Sequence, residues 1–357
     1  MDKLDLYING FKCFVDKHFE LSNLTLLTGA NASGKSSVIQ ALLFLRIASE
    51  SEEINSILSL KNPRYAFDFG NPDSLINNDL KGDEVTISLS GGIAMRFNGG
   101  KQEEARQLLV GVDGLPELKY LFRNGLTYIT AERQGPRYDY TRNPSYENGC
   151  GCRGENTGNV MADNWNTRIN GNRLLSLSEQ QALFNVALDN WLNYIFPGVK
   201  IYIRQIGVQS YQVLIRESFH NFQTDSTNIG FGISYALPIL VGALLAKDGG
   251  WLIVENPEAH IHAKAQSNMG YFLGMMAAAG LRVVVETHSE HIVNGIRRAA
   301  IVSGRPNPQE VNIYFFSGKS ESELITIDDY GNLSDFPVDF FDQSRQDMLE
   351  IIKKTRC

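Results

Sequence analysis

Eight residues near the start of the chain, Gly29-Ala30-Asn31-Ala32-Ser33-Gly34-Lys35-Ser36, leave few folds open. Their spacing is that of a phosphate-binding loop, in which successive backbone N–H groups turn inward and form a nest for anionic oxygens. Glycine at 29 and 34 permits the backbone angles such a nest needs. Lys35 is placed to reach the terminal phosphates, and Ser36 to offer its hydroxyl to Mg2+. Leu24-Thr25-Leu26-Leu27-Thr28, just before the loop, is a short apolar run of the buried-strand type. After the loop, residues 36–47 carry Val38, Ile39, Leu42, Leu43 and Leu45 at helical spacing. Strand, loop and helix in that order set phosphates on a helix N-terminus. Gly29, Asn31, Ala32, Ser33, Gly34, Lys35, Ser36 and Ser37 are therefore the candidate nucleotide-binding residues, with ATP and Mg2+ as the cofactors.

The rest of the chain alternates strand and helix patterns. Leu4–Phe11 reads as an opening strand, and Val85-Thr86-Ile87-Ser88-Leu89 and Leu126-Thr127-Tyr128-Ile129-Thr130 as two more. Residues 178–195 read as a helix with Ser178 and Gln181 as a capping box, and residues 201–215 as a hairpin. Helices are expected over 234–246, 264–279 and 290–302, and strands over 251–254, 281–285, 311–316 and 323–327. Such alternation implies an α/β sheet. Residues 139–173 are rich in Gly and Asn, and Val160, Met161 and Trp165 are sparse for a core, so the segment reads as a loop-rich insertion facing a partner or substrate. The expected organisation is one unit over 1–357, with that insertion and a C-terminal extension over 303–357. No internal repeat or long heptad run is present.

Composition narrows the class. The 357 residues are 43% hydrophobic and 20% charged, ordinary for a globular protein, and no run of about 18 apolar residues suggests a membrane span. The net charge of -7 argues against a broadly basic nucleic-acid surface, though not against a local basic groove. Met1-Asp2-Lys3 does not begin a signal peptide, and Cys150-Gly151-Cys152 is spaced too tightly for a zinc pair. Cys13, Cys150, Cys152 and Cys357 read as free thiols in a reducing cytoplasm.

Three later motifs suit a nucleotide site. Trp251-Leu252-Ile253-Val254 ends in Glu255, an acid at the tip of a buried strand where the Mg2+ shell needs one, and Glu258 follows as a candidate to orient or deprotonate the attacking water. The strand over 281–285 runs into Glu286-Thr287-His288-Ser289, where His288 is placed to donate to a γ-phosphate and sense its loss. The turn Asn228-Ile229-Gly230-Phe231-Gly232-Ile233-Ser234 enters a helix, a second anion-binding N-terminus. Glu255, Glu258 and His288 are thus the catalytic candidates, and Ser36 and Glu255 the metal ligands.

Taken together in this order, these pieces resemble the ABC-type ATPase heads of the SMC, RecF and OLD group, and most closely small bacterial AAA-type ATPases that carry a C-terminal domain of unknown function. The words that carry the resemblance are Gly10-Phe11-Lys12-Cys13-Phe14, the phosphate loop with Val38-Ile39-Gln40-Ala41-Leu42, and Ala131-Glu132-Arg133-Gln134-Gly135-Pro136-Arg137. They continue with Gly230-Phe231-Gly232-Ile233-Ser234, Glu255-Asn256-Pro257-Glu258-Ala259-His260-Ile261-His262, Glu286-Thr287-His288-Ser289 and Asp339-Phe340-Phe341-Asp342-Gln343. They span nearly the whole chain outside 139–173. The resemblance implies a P-loop NTPase fold with a mixed or parallel sheet core flanked by helices, and an antiparallel β part at the N-terminus. It implies the Walker B role for Glu255, a switch role for His288, and a signature loop of Gly230, Gly232 and Ser234 that touches the γ-phosphate of a second subunit. Two departures stand out. Asn256 occupies the place of the usual base, so hydrolysis is expected to be slow or to rest on Glu258, and the signature lacks the Leu-Ser-Gly-Gly order.

The resemblance implies an ATP-bridged homodimer that controls an effector, such as a nuclease, in bacterial defence against phage. The alternatives are a DNA-repair or chromosome-maintenance ATPase of the RecF or SMC type, with DNA as a partner, and an OLD-like nuclease component. No coiled-coil insertion is visible for an SMC protein, and Asp328-Asp329 reads as a surface turn rather than a nuclease metal site. No membrane partner is expected.

Overall fold

The computed structural model describes residues 3–98, 106–141, 149–176, 182–208, 210–216, 224–225, 230–318 and 320–355. Two large sheets share the molecule. The first is antiparallel throughout and comes from the N-terminal third, in the spatial order β2 (Phe14–Leu21), β1 (Leu4–Phe11), β7 (Glu84–Leu89), β8 (Ile93–Asn98), β9 (Gln107–Asp113) and β4 (Asn55–Ser59). The second runs β10 (Leu126–Ile129), β15 (Trp251–Glu255), β16 (Arg282–Glu286), β3 (Leu24–Gly29), β17 (Val311–Gly318) and β18 (Glu321–Thr326). Its first five strands are parallel, and β18 closes one edge antiparallel to β17.

Helices cover the second sheet because both of its faces are apolar. Side chains on a strand point alternately to opposite faces. Leu252, Val254, Val283, Val285, Ile313 and Phe315 fall in one buried cluster, and Trp251, Ile253, Val284, Tyr314 and Phe316 in the other. The first cluster lies under α4 (Phe184–Ile195), α5 (Phe231–Leu245), α6 (Ala263–Ala278) and α7 (Glu290–Val302). The second lies between the parallel sheet, α1 (Lys35–Ala48) and the antiparallel sheet. Burial on both faces explains why these strands read as continuous apolar runs instead of alternating ones. Smaller pieces complete the chain: the ladder β5 (Lys61–Asn62) with β6 (Phe67–Asp68), helices α2 (Leu115–Leu121) and α8 (Gln343–Thr355), and a third sheet of β11 (Tyr140–Thr141), β13 (Ser210–Arg216) and β12 (Lys200–Gln205), with β14 (Thr224–Asp225) on β13. Among the described residues no helix is long and apolar enough to cross a membrane.

The structure refines three expectations. The described part of 139–173, residues 139–141 and 149–173, contributes to the core. It contains α3 (Thr157–Asn164), whose Met161 is fully buried together with Cys150 and Cys152, while Val160 and Trp165 pack against the same core. Sparse apolar residues suffice here because small ones, Gly158 and Thr157, let α3 seat closely: a Cβ on Gly158 would come within 2.6 Å of the Tyr140 ring. Within 303–357, β17 pairs directly with the phosphate-loop strand β3, so the parallel sheet continues into this segment. Finally, α4 begins at Phe184, and the Ser178 and Gln181 capping box lies outside the described residues.

Candidate nucleotide site

The phosphate loop joins β3 to α1 at the C-terminal edge of the parallel sheet. Gly29 has φ 125°, and a side chain there would run into the backbone of Phe316 on β17. Gly34 caps α1 with φ 118°, and a Cβ would lie 2.9 Å from both Cys13 Sγ and the Phe14 ring. Only glycine meets both demands at these positions. The first turn of α1 has no acidic residue and no side-chain cap; the Ser37 and Val38 N–H groups bond the Gly34 carbonyl, and no side-chain cap competes with an anion for those of Lys35 and Ser36. Lys35 is folded over the loop, donating to the carbonyls of Gly29 (3.1 Å) and Ala30 (2.5 Å). Burial lowers its pKa, and Glu286 opposes that shift.

Sheet order decides what faces this loop. β16 lies between β3 and β15, and Glu255 and Glu286 are register partners at the strand ends. Glu255 accepts from Tyr128 Oη (2.9 Å), Thr130 Oγ1 (3.2 Å) and the Ala131 N–H (3.1 Å). Glu286 is only 8% exposed and accepts from Ser36 Oγ at 3.3 and 3.2 Å. Burial first, and the Glu255 charge second, push the Glu286 carboxyl up to about 7, against the pull of Lys35 and Ser36. His288 stands at the rim, where burial and the Lys35 charge hold its pKa below the ordinary value.

A cavity of about 480 Å³ results, lined by Asn31, Ala32, Ser33, Gly34, Lys35, Ser36, Ser37, Glu255 and His288, with Lys12, Cys13, Ala131, Asn256 and Glu286. Its residues fit a nucleotide with Mg2+. The donors are hard oxygens, a hydroxyl and two carboxylates, beside a cationic, N–H-rich cradle. Among the described residues no three His, Cys, Asp or Glu side chains could hold a metal by themselves, so phosphate oxygens and water would complete the shell. Ser36, Glu255 and Glu286 are the protein groups within reach.

Several candidates sit elsewhere. Glu258 is not among the residues lining the cavity; its oxygens accept from Thr287 Oγ1 and the His288 N–H, both at 2.8 Å, so it secures the histidine loop. Gly230, the exposed N-cap of α5, is open on its outer side. Gly232 is not: a Cβ there would lie 2.7 Å from the His260 carbonyl oxygen. Ser234 is 3% exposed, packed into the interior. Asn228 and Ile229 lie outside the described residues.

Two residues stand inside the quoted motifs without a role assigned to them. Arg133, 4% exposed, donates to the carbonyls of Thr130 (3.1 Å), Glu255 (2.6 Å) and Asn256 (2.5 Å), and burial brings its pKa down to about 10. It holds Asn256 in a left-handed conformation, φ 44°, which asparagine tolerates. Glu286 is the other. Its signal was an acid directly after the buried apolar run Val283-Val284-Val285, where packing gives no reason for a carboxylate.

Comparison with protein families bears on the same residues. The AAA domain model matches residues 5–190, more than half of the chain. The chain belongs to the AAA domain family. Its fold is the P-loop NTPase fold of SMC heads. A second AAA domain model, whose description carries the AbiEii toxin of a type IV TA system, matches residues 161–294 of the head. A model for a protein family of unknown function, DUF3696, matches residues 307–351, where β17 and β18 lie. Among solved structures, the Smc head with an extended coiled coil bound to the C-terminal domain of ScpA, from Pyrococcus furiosus, aligns at TM-score 0.54 and 10% identity over 99% of each chain. The SmcHead bound to the C-winged helix domain of ScpA aligns at TM-score 0.51 and 10% identity, over 97% of the head and 100% of that chain. At such identity these likenesses concern the fold alone. No curated protein matches the head.

Proposed function

We propose that the head binds ATP with Mg2+, hydrolyses it slowly, and pairs with a second copy across two nucleotides to control an effector protein in the cytoplasm. The observation that carries this reading is the convergence of Lys35, Ser36, Glu255 and His288 on one cavity from three adjacent strands and α1. Asn256 lies at the same cavity where a base is expected, and an amide cannot take a proton, which is the ground for slow turnover. The open N-terminus of α5 at Gly230, with Phe231 54% exposed beside it, supplies the second surface that a sandwich of two heads needs. Such a pairing would be isologous, each α5 facing the other phosphate loop. The toxin–antitoxin description of the second AAA model favours a role in defence, and the ScpA-bound Smc heads are an example of this fold engaging another protein.

The test is assembly. A non-hydrolysable ATP analogue with Mg2+ should shift wild-type protein from monomer to dimer in sedimentation, and Lys35→Ala should stay monomeric with at least ~100-fold weaker binding, since it loses the cation of the phosphate nest. Wild-type protein that remains monomeric at saturating nucleotide would refute the sandwich.

A further inference from the structure

Motif order assigns the acid on the metal side of the nucleotide to Glu255. The sheet argues for its neighbour. β16 lies between β15 and β3, so Glu286 stands one strand spacing, about 4.8 Å, closer to the phosphate loop than Glu255 does. Ser36 Oγ is within 3.3 Å of both Glu286 oxygens. Tyr128, Thr130 and the Ala131 N–H tie the Glu255 carboxylate to β10 and the loop that follows it.

A phosphate-loop hydroxyl that turns an oxygen lone pair toward Mg2+ must point its proton at an acceptor on the protein side. Mg2+ itself takes oxygen ligands, keeps several waters, and is bound through one or two carboxylates plus phosphate oxygens. The carboxylate suited to this place is the one that already accepts from the hydroxyl. We propose that Glu286, together with Ser36, holds the Mg2+ of the bound nucleotide, and that Glu255 is a fixed carboxylate behind it. This rests on the reading of the cavity as an ATP site.

Calorimetry of ATP binding, with Mg2+ or with EDTA, separates the two acids in full-length wild-type, Glu286→Gln, Glu286→Asp and Glu255→Gln proteins. Mn2+ paramagnetic resonance in the presence of ATP gives a second readout of the metal itself. In Glu286→Gln the tightening of ATP by Mg2+ should fall by about tenfold or more, as on loss of a metal-orienting group. Affinity for metal-free ATP should hold or improve, because a negative charge beside the phosphates is gone. Glu286→Asp, one methylene shorter but still charged, should keep part of the effect, and Glu255→Gln most of it. An unchanged Mg2+ effect in Glu286→Gln, or its loss in Glu255→Gln alone, would overturn the assignment while leaving the ATP site intact. Wild-type protein that binds no ATP would sink the site and this assignment together.

Discussion

At the scale of single residues, the densest chemistry lies in two acids side by side. Glu286 carries a carboxyl pushed up to about 7 from an ordinary 4.5, by burial and by the Glu255 charge. A raised acid pKa means that the folded protein holds a proton the unfolded chain has released, so stability falls as pH rises through that interval. Below about pH 4.5 both states are protonated and the group is silent; above about pH 7 its destabilisation is complete. Since one pKa unit is worth about 1.4 kcal/mol, the whole effect is at most roughly 3 kcal/mol. Thermal melts of nucleotide-free protein in EDTA should therefore find Glu286→Gln more stable than wild type at pH 8 and equal to it near pH 4. Parallel pH profiles for the two proteins would contradict this. A buried carboxyl that costs stability in the empty protein is understandable if a cation joins it on ligand binding.

At the scale of elements, the start of α5 has two jobs that compete for the same residues. Gly230 faces outward, but Gly232 packs against the loop after β15, where His260 sits with φ 61°. Phe231 and Tyr235 ring that histidine at 5.6 and 4.6 Å between centroids. A glycine that the resemblance would set against a second subunit's phosphate here packs closely within its own chain. Gly232→Ala should cost about 1–3 kcal/mol by overpacking, read as a lower melting temperature in the absence of nucleotide. A variant that melts with wild type yet fails to dimerise would return the residue to a partner-facing role.

For the whole molecule, the described part of 139–173 matters most, because it decides whether the head can be trimmed. Cys150 and Cys152 are buried with their thiols pushed up to about 12, and α3 packs on α5 and β13. Thr130 at the end of β10 donates its N–H to the Cys152 carbonyl (2.9 Å), and Gln134 donates to that of Arg153 (2.8 Å). Deleting 149–173 would strip these partners and open the cluster around Met161 and Trp191. The expected outcome is a chain without a cooperative melt by circular dichroism. A deletion that folds and still binds ATP would show the segment to be a dispensable ornament.

Local order was written plainly in the sequence. The phosphate loop, the strand before it and the helix after it are specified by contiguous residues: glycines where φ is positive, apolar runs where both faces are buried, and helical spacing where one face is. The same locality made β15, β16, α6 and α7 legible, and with them the positions of Glu255 and His288 at the strand ends. What tertiary structure alone decided is adjacency. Nothing in the order of residues says that β16 inserts between β15 and β3, and that insertion brings Glu286 rather than Glu255 to Ser36. Nor does local pattern say that the buried faces of Gly232 and Ser234 belong to the same subunit, or that a Gly- and Asn-rich stretch closes a core. Those outcomes depend on which apolar surfaces meet across long loops, a property of the packed whole.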